Sequence, residues 1–279
     1  MKYILFFLIL LLPVTAEARI DFLKAEINRL RGTLFELYLQ RDLSSESYVV
    51  VNLSTEKTVA SKNIEKHYPI ASITKMMSAI VAIENINLED KITLTSKMLE
   101  PYGYSPSLFL GLNVSAENLL KATLIQSTND AAEALTFFLE EKEFLRLMNK
   151  KAKEIGMENT FFYDAHGLSY LNCSTALDLA KLIKYIKENH PQILEITKDD
   201  NFWLPDHRGV LLKFKNVNNF YSHPDFIGAK TGYLPAAKQT FLALVNFNDG
   251  LFAIVLLYSP NRQKDTEEIL KRMSNLIPI

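Results

Sequence analysis

The chain has 279 residues, 48% hydrophobic and 23% charged, and its 31 basic and 32 acidic side chains leave a formal charge of -1. That balance excludes collagen-like, disordered and polytopic membrane classes, and it supplies no general attraction for nucleic acid, so none is expected as a partner. With a single cysteine, Cys173, no disulfide can form within the chain and a packed core must hold the fold.

At the N-terminus Lys2 precedes an apolar run over residues 3–14 broken by Pro13, and Ala16 and Ala18 put small residues where an export peptidase cuts. Residues 1–18 therefore read as a signal peptide cleaved after Ala18, which directs the protein to the periplasm or another extracytoplasmic cell-wall space. The run is shorter than the roughly 20 apolar residues a spanning helix needs. Residues 19–43 follow as a separate segment, in which Ile20, Leu23, Ile27, Leu30, Leu34 and Leu37 alternate spacings of three and four. This heptad stripe predicts a helix over 20–37 with two open readings: docked on its own domain, or offered to a partner helix.

Residues 44–279 form the remaining domain. Apolar runs at 48–51 and 58–60 flank a polar segment as a hairpin, and helical spacing then recurs over 72–86, 116–125, 130–140, 143–155 and 174–188. Strand-like runs return at 210–214, 226–231, 240–247 and 252–258, the last two separated by the turn signal Asn248-Asp249-Gly250, and a helix over 267–276 closes the pattern. Strands at both ends with helices between them predict an α+β fold: an antiparallel sheet from both chain ends, flanked by helices, with an inserted helical subdomain.

The sequence contains no His-Glu-x-x-His, no Gly-x-x-x-x-Gly-Lys-Ser/Thr and no Gly-x-Ser-x-Gly, so zinc, nucleotide and lipase chemistries lack their anchors and no metal or cofactor is expected. Asp164, His166 and Ser169 lie too close in sequence for a converging triad and read as a turn built on Asp164 and Gly167. Cys173, at the start of a helical stretch, reads as a buried structural thiol. What remains is Ser72-Ile73-Thr74-Lys75, a hydroxyl and an amine three residues apart on one face of a helix start. Unpaired N–H groups and partial positive charge at that terminus favour an anionic oxygen, and the apolar helix behind it desolvates the lysine. Ser54-Thr55-Glu56-Lys57 has the same spacing but sits in the expected hairpin turn.

Taken in order, Ser72-x-x-Lys75, Ser127-x-Asn129 and Lys230-Thr231-Gly232 resemble the three-motif signature of penicillin-binding proteins and serine β-lactamases. The surrounding text is most similar to the low-molecular-mass D-alanyl-D-alanine carboxypeptidases: residues 69–77 and 125–131, Gly156-Met157, His166-Gly167-Leu168, residues 174–178 and Gly228 to Tyr233. The likeness runs from about Tyr48 onward. It excludes the heptad segment, and it does not extend to the small C-terminal β-domain and amphipathic anchor that the family often carries. No Glu-x-x-Leu-Asn, the deacylating element of class A β-lactamases, is present.

The resemblance implies a β-lactamase/transpeptidase-like fold and an exported serine carboxypeptidase that removes the terminal D-Ala from peptidoglycan stem peptides ending in D-Ala-D-Ala. β-Lactam antibiotics are the expected inhibitors. In this reading Ser72 is the nucleophile, Lys75 the general base, and Ser127 the relay toward the leaving amine. Asn129 holds a substrate amide, Lys230 and Thr231 bind the terminal carboxylate, Gly232 leaves room for the peptide, and the N–H groups of Ser72 and Tyr233 form an oxyanion hole. Arg208 is a second carboxylate candidate by its spacing to Leu211 and Leu212. A D,D-endopeptidase, a β-lactamase of the same superfamily and a non-catalytic cell-wall-binding scaffold remain the alternatives.

Overall fold

The computed structural model describes residues 15–39, 43–103, 105, 107–247 and 250–276, so most of the expected signal peptide lies outside the described residues. From the N-terminus come α1 (Ala16–Leu39), the hairpin strands β1 (Ser47–Asn52) and β2 (Lys57–Lys62), the short β3 (Tyr68–Pro69), α2 (Thr74–Asn85), β4 (Lys91–Thr93) and β5 (Asn113–Ser115). Next are α3 (Ala116–Ile125), α4 (Asn129–Thr136), α5 (Glu141–Glu154), β6 (Cys173–Ser174), α6 (Ala176–Asn189) and α7 (Pro191–Ile196). The chain returns through β7 (Asn201–Pro205), β8 (Leu211–Lys215), β9 (Phe226–Leu234), β10 (Lys238–Phe247) and β11 (Gly250–Ser259), and ends in α8 (Arg262–Leu276).

The main sheet has the order β2-β1-β11-β10-β9 and is antiparallel throughout, with β1 from one chain end paired to β11 from the other, Val50 opposite Ile254. Side chains alternate between its faces. Val49, Leu242, Leu244, Val255 and Leu257 enter the core shared with α2, α3 and α6, whereas Val50, Ala243, Val245, Ile254 and Leu256 pack with Ile269 and Met273 of α8. Because both faces are covered, β10 and β11 read as nearly unbroken apolar runs rather than alternating ones. Helix α2 is buried over every residue from Thr74 to Ala82, which marks it as the central helix of the large core rather than a surface one.

The α+β architecture therefore matches the expectation, with local differences. The helix expected over 130–140 ends at Thr136, and the closing helix begins at Arg262 rather than 267. Helix α7, started by Pro191, and the β7–β8 hairpin were not expected beyond the run at 210–214. That hairpin is secured by Phe202 stacked on Phe214 at 4.5 Å, a contact that no local pattern signals. Cys173 is half-buried rather than fully buried, its thiol directed at the Tyr170 carbonyl and its pKa raised by burial. The turn expected at 248–249 lies outside the described residues, and Phe247 faces Gly250 across it. Helix α1 runs alongside β2 and α8, while Ile20, Leu23, Ile27 and Leu30 in its first half are exposed. It starts at Ala16, so the expected cut after Ala18 falls in its first turn.

Asp265 in α8 joins the two chain ends. Its carboxylate accepts from the Ser44 N–H at 2.7 Å, from the Ser45 hydroxyl at 2.6 Å and from the Ser259 hydroxyl at 2.7 Å. Removing a buried acceptor strands all of these donors, so Asp265→Ala is expected to cost about 2–4 kcal/mol, read as a lower midpoint in urea unfolding with an unchanged slope.

Candidate active site

The site forms where three separate parts of the chain meet. A 3-10 turn at Ala71–Ile73 leads into α2 and places Ser72 at its mouth, with Lys75 one turn further on the same face. Ser127 occupies the link from α3 to α4, and Asn129 is the first residue of α4. Lys230, Thr231 and Gly232 lie on β9, the edge strand of the sheet.

Lys75 is fully buried, and its ammonium nitrogen donates to Ser72 Oγ at 3.0 Å, Asn129 Oδ1 at 2.7 Å and the His166 carbonyl at 2.5 Å. None of these partners carries a charge. Burial accordingly pulls the Lys75 pKa down to about 7, with Asp164 opposing the shift. Lys230, also buried, donates to Ser127 Oγ at 2.8 Å and to the Thr231 carbonyl at 3.1 Å. Its pKa is lowered well below the lysine norm by burial first, then by the nearby positive charges of Lys75 and Arg262. The cluster thus holds two hydroxyls, each against an amine whose proton is loosely held.

Backbone strain and close approach build this geometry. Ala71 and Ser127 have φ of 49° and 62°, a left-handed region that residues with side chains rarely occupy. Around the 164–172 loop the Asp164 carboxylate accepts from the N–H groups of His166, Gly167 and Ser169 and from the Asn172 amide. That wrapping presents the His166 carbonyl to Lys75. Gly167 has φ of 87°, and a Cβ there would lie 2.1 Å from the Ala71 carbonyl oxygen. Gly232 is required by proximity instead, since its Cβ would fall 2.9 Å from the Ser72 nitrogen and 2.4 Å from Thr240 Oγ1. Thr240 in turn donates to the Ile70 carbonyl at 3.0 Å, tying β10 to the segment that carries Ser72.

Of the residues singled out by sequence, Ser72, Lys75, Ser127, Asn129, Lys230, Thr231 and Gly232 come together here, and Tyr233 follows on β9 with its ring exposed. Arg208 does not join them. It forks onto Asp206 with contacts of 2.8 and 3.0 Å at the tip of the β7–β8 hairpin, and its side chain is 65% exposed. The cation that does reach the site is Arg262, at the start of α8, which donates to the Gly232 carbonyl at 2.7 Å. Sequence spacing could not find it, because Arg262 arrives only after β10 and β11 have returned the chain to β9. Among the described residues no carboxylate pairs with Lys75, Lys230 or Arg262. Ser54 and Lys57, the second Ser-x-x-Lys pair, are exposed around the β1–β2 turn.

Residues 36–259 match the family described as D-alanyl-D-alanine carboxypeptidase. The protein belongs to that family. It is 32% identical over 228 residues to the D-alanyl-D-alanine endopeptidase of Escherichia coli, covering 78% of this chain and 72% of the relative. It is 29% identical over 246 residues to the D-alanyl-D-alanine carboxypeptidase DacF of Bacillus subtilis, covering 82% of this chain and 61% of that one. Among solved structures, penicillin-binding protein D2 of Listeria monocytogenes in its cefotaxime-bound form superposes with a TM-score of 0.73 and 26% identity, over 83% of this chain and 98% of that one. The fold is that of the penicillin-binding serine peptidases, and the chain is a serine-type hydrolase of this group.

A neutral amine is what can take a proton from a hydroxyl, so the lowered Lys75 pKa sets a pH dependence. Below pH 7 most of the amine is protonated and only its neutral fraction can act as a base. The rate of acylation is expected to rise about tenfold per pH unit up to an inflection near 7 and then level, checked by stopped-flow acylation across pH 5 to 9.

Proposed function

We propose that the protein removes the terminal D-alanine from peptidoglycan stem peptides ending in D-Ala-D-Ala, through an ester on Ser72. The observation that carries this reading is the buried, charge-free surrounding of Lys75 with its nitrogen 3.0 Å from Ser72 Oγ. Lys75 accepts the Ser72 proton as Oγ attacks the penultimate carbonyl, and the N–H groups of Ser72 and Tyr233 receive the negative oxygen. As the C–N bond breaks, Ser127 hands its proton to the leaving amine and is reprotonated from Lys230, 2.8 Å away. Water then attacks the ester, giving up a proton that restores Lys230, while Lys75 returns its proton to the departing Ser72 Oγ and the shortened peptide leaves as a carboxylic acid.

The preference for a chain end follows from the unpaired cations. Lys230 and Arg262 flank Thr231 and Gly232 with no carboxylate among the described residues to neutralise them, so an anion supplied by the ligand is the missing partner. The free edge of β9 gives the extended peptide a strand to pair with. Relatives named carboxypeptidase and endopeptidase both carry the family, and both reactions break the same D-alanyl bond. A cell-wall location, with export and removal of residues 1–18, is part of this proposal and is supported by the family. Among the described residues no helix is long and apolar enough to cross a membrane.

Incubation with benzylpenicillin followed by intact-mass measurement is expected to give one long-lived adduct per chain, absent in Ser72→Ala. An adduct that vanishes as drug is consumed would move the assignment to β-lactamase, and none at all would favour the non-catalytic scaffold. Arg262→Ala is expected to raise KM for a D-Ala-D-Ala peptide by about 10- to 100-fold with a smaller change in kcat, and to weaken the preference for a free over an amidated C-terminus. Arg208→Ala is expected to leave both constants within about twofold in the same assay.

A further inference from the structure

Two of the three acceptors around the Lys75 amine are motif side chains, Ser72 and Asn129, and the third is the His166 carbonyl, which lies outside the three motifs. The position of that carbonyl depends on how the rest of His166 is held. Its imidazole, 12% exposed, borders a cavity of about 300 Å³ between the 164–166 segment, α4 and α5. A ring beside open space is fixed only as far as its two nitrogens are engaged.

The Leu168 N–H donates to His166 Nδ1 at 3.2 Å, so Nδ1 presents its lone pair and the proton of the neutral ring sits on Nε2. Nε2 faces Glu133 of α4, whose Oε2 is 3.7 Å away, a charge–dipole contact slightly longer than a hydrogen bond. Asp164 Oδ1 lies 3.3 Å from Nδ1 but already accepts from the N–H groups of His166 and Gly167 and from the Asn172 amide. Burial pulls the imidazole pKa down to about 4, opposed by Asp164 and assisted by Lys75, which keeps the ring neutral. Burial first, and Glu141 second, push the Glu133 carboxyl up to about 7. The other charged groups around Glu133 are Asp164, and Lys97 and Glu100 from the chain between β4 and β5. Lys97 lies over the Phe137 ring and 4.0 Å from Glu141, so it is drawn to that partner. Among the described residues His166 is thus the only basic side chain within ion-pair distance of Glu133.

We infer that Glu133 is a positioning residue for the acyl transfer: its carboxylate orients the His166 imidazole, and through that residue it holds the carbonyl that keeps the Lys75 amine on Ser72. The inference rests on the acyl-enzyme reading above, in which Lys75 takes the Ser72 proton. Glu133 acts one residue removed from that step. Proton transfer depends on hydrogen-bond distance, so a carbonyl that drifts with an unanchored ring slows the reaction without changing the groups that react.

The test uses Glu133→Leu, which removes the acceptor, and Glu133→Gln, whose amide oxygen replaces it without a charge. Stopped-flow acylation by benzylpenicillin at about pH 8 reads the first-order rate constant apart from the half-saturating concentration. Glu133→Leu is expected to lower the rate constant about tenfold, with the half-saturating concentration and the urea midpoint near wild-type values, and Glu133→Gln to restore it to within about threefold. Nitrogen NMR of the imidazoles, with the His166 signals identified by their loss in His166→Gln, is expected to show the Nε2–H tautomer in the wild type. Its Nε2 signal is expected to shift with a midpoint near pH 7, and Glu133→Gln to abolish that shift. Wild-type acylation by Glu133→Leu, an equal loss in both variants, or a loss that tracks a lowered urea midpoint overturns the positioning role. So does an Nδ1–H ring, or an Nε2 shift that persists in Glu133→Gln. An intact Nε2 titration in a wild-type protein that neither penicillin nor a D-Ala-D-Ala peptide acylates overturns the peptidase reading, and this role with it, because the pair then orients a lysine that performs no chemistry.

Discussion

The interaction on which the site depends is the burial of the Lys75 amine against three neutral oxygens and no carboxylate. An ammonium ion taken out of water without a counter-ion costs several kcal/mol, which the side chain relieves by holding its proton weakly. The same burial demands a helix enclosed on every side, and α2 is that helix: Met76, Met77, Ala79 and Ile80 are as buried as the lysine that precedes them. The large core is thus what makes the amine basic in the useful range. A surface Ser-x-x-Lys pair, such as Ser54 and Lys57, has the spacing without the enclosure.

Enclosure also brings strain, which is concentrated around the serines. Ala71 and Ser127 adopt left-handed backbone conformations, each adjoining or carrying a reactive hydroxyl. Such conformations persist where neighbours over-determine them. The Asp164 carboxylate, wrapped by three N–H groups and an amide, fixes the 164–172 loop against Ala71, and the Thr240 hydroxyl pins Ile70 from the other side. Asp164 also acts through space, opposing the loss of the Lys75 proton. One side chain therefore supports both the shape of the site and the basicity of its lysine.

The parts legible in the sequence were those with a repeating physical signal. Buried strands β10 and β11 and amphipathic helices such as α5 and α6 declare themselves by apolar spacing, and the three catalytic motifs stand out by residue type in order along the chain. What was not legible depends on meetings between distant segments. Strand β7, Asn201–Pro205, has a proline end and no alternation of its own, and it becomes a strand through β8 and the Phe202–Phe214 stack. Arg208 and Arg262 are indistinguishable by local context. The first is captured by Asp206 two residues away, whereas the second is carried by two β-strands back to Gly232. The role of the His166 carbonyl was equally hidden, since a backbone acceptor has no residue type.

The unpaired cations connect recognition to chemistry. Burial and positive neighbours lower the pKa of Lys230, so it holds its proton weakly beside Ser127. On the proposed reading, a carboxylate arriving next to Thr231 opposes that lowering and makes Lys230 hold its proton more firmly when a leaving group is in place. The proton that replaces the one Ser127 passes to the departing nitrogen is then held in place with the substrate's help. An amidated C-terminus is, on the same reading, disfavoured twice, because it leaves Arg262 unmatched and leaves Lys230 without the negative charge that would steady its proton. On that reading, specificity for a free carboxylate is a property of the acid–base step as well as of binding.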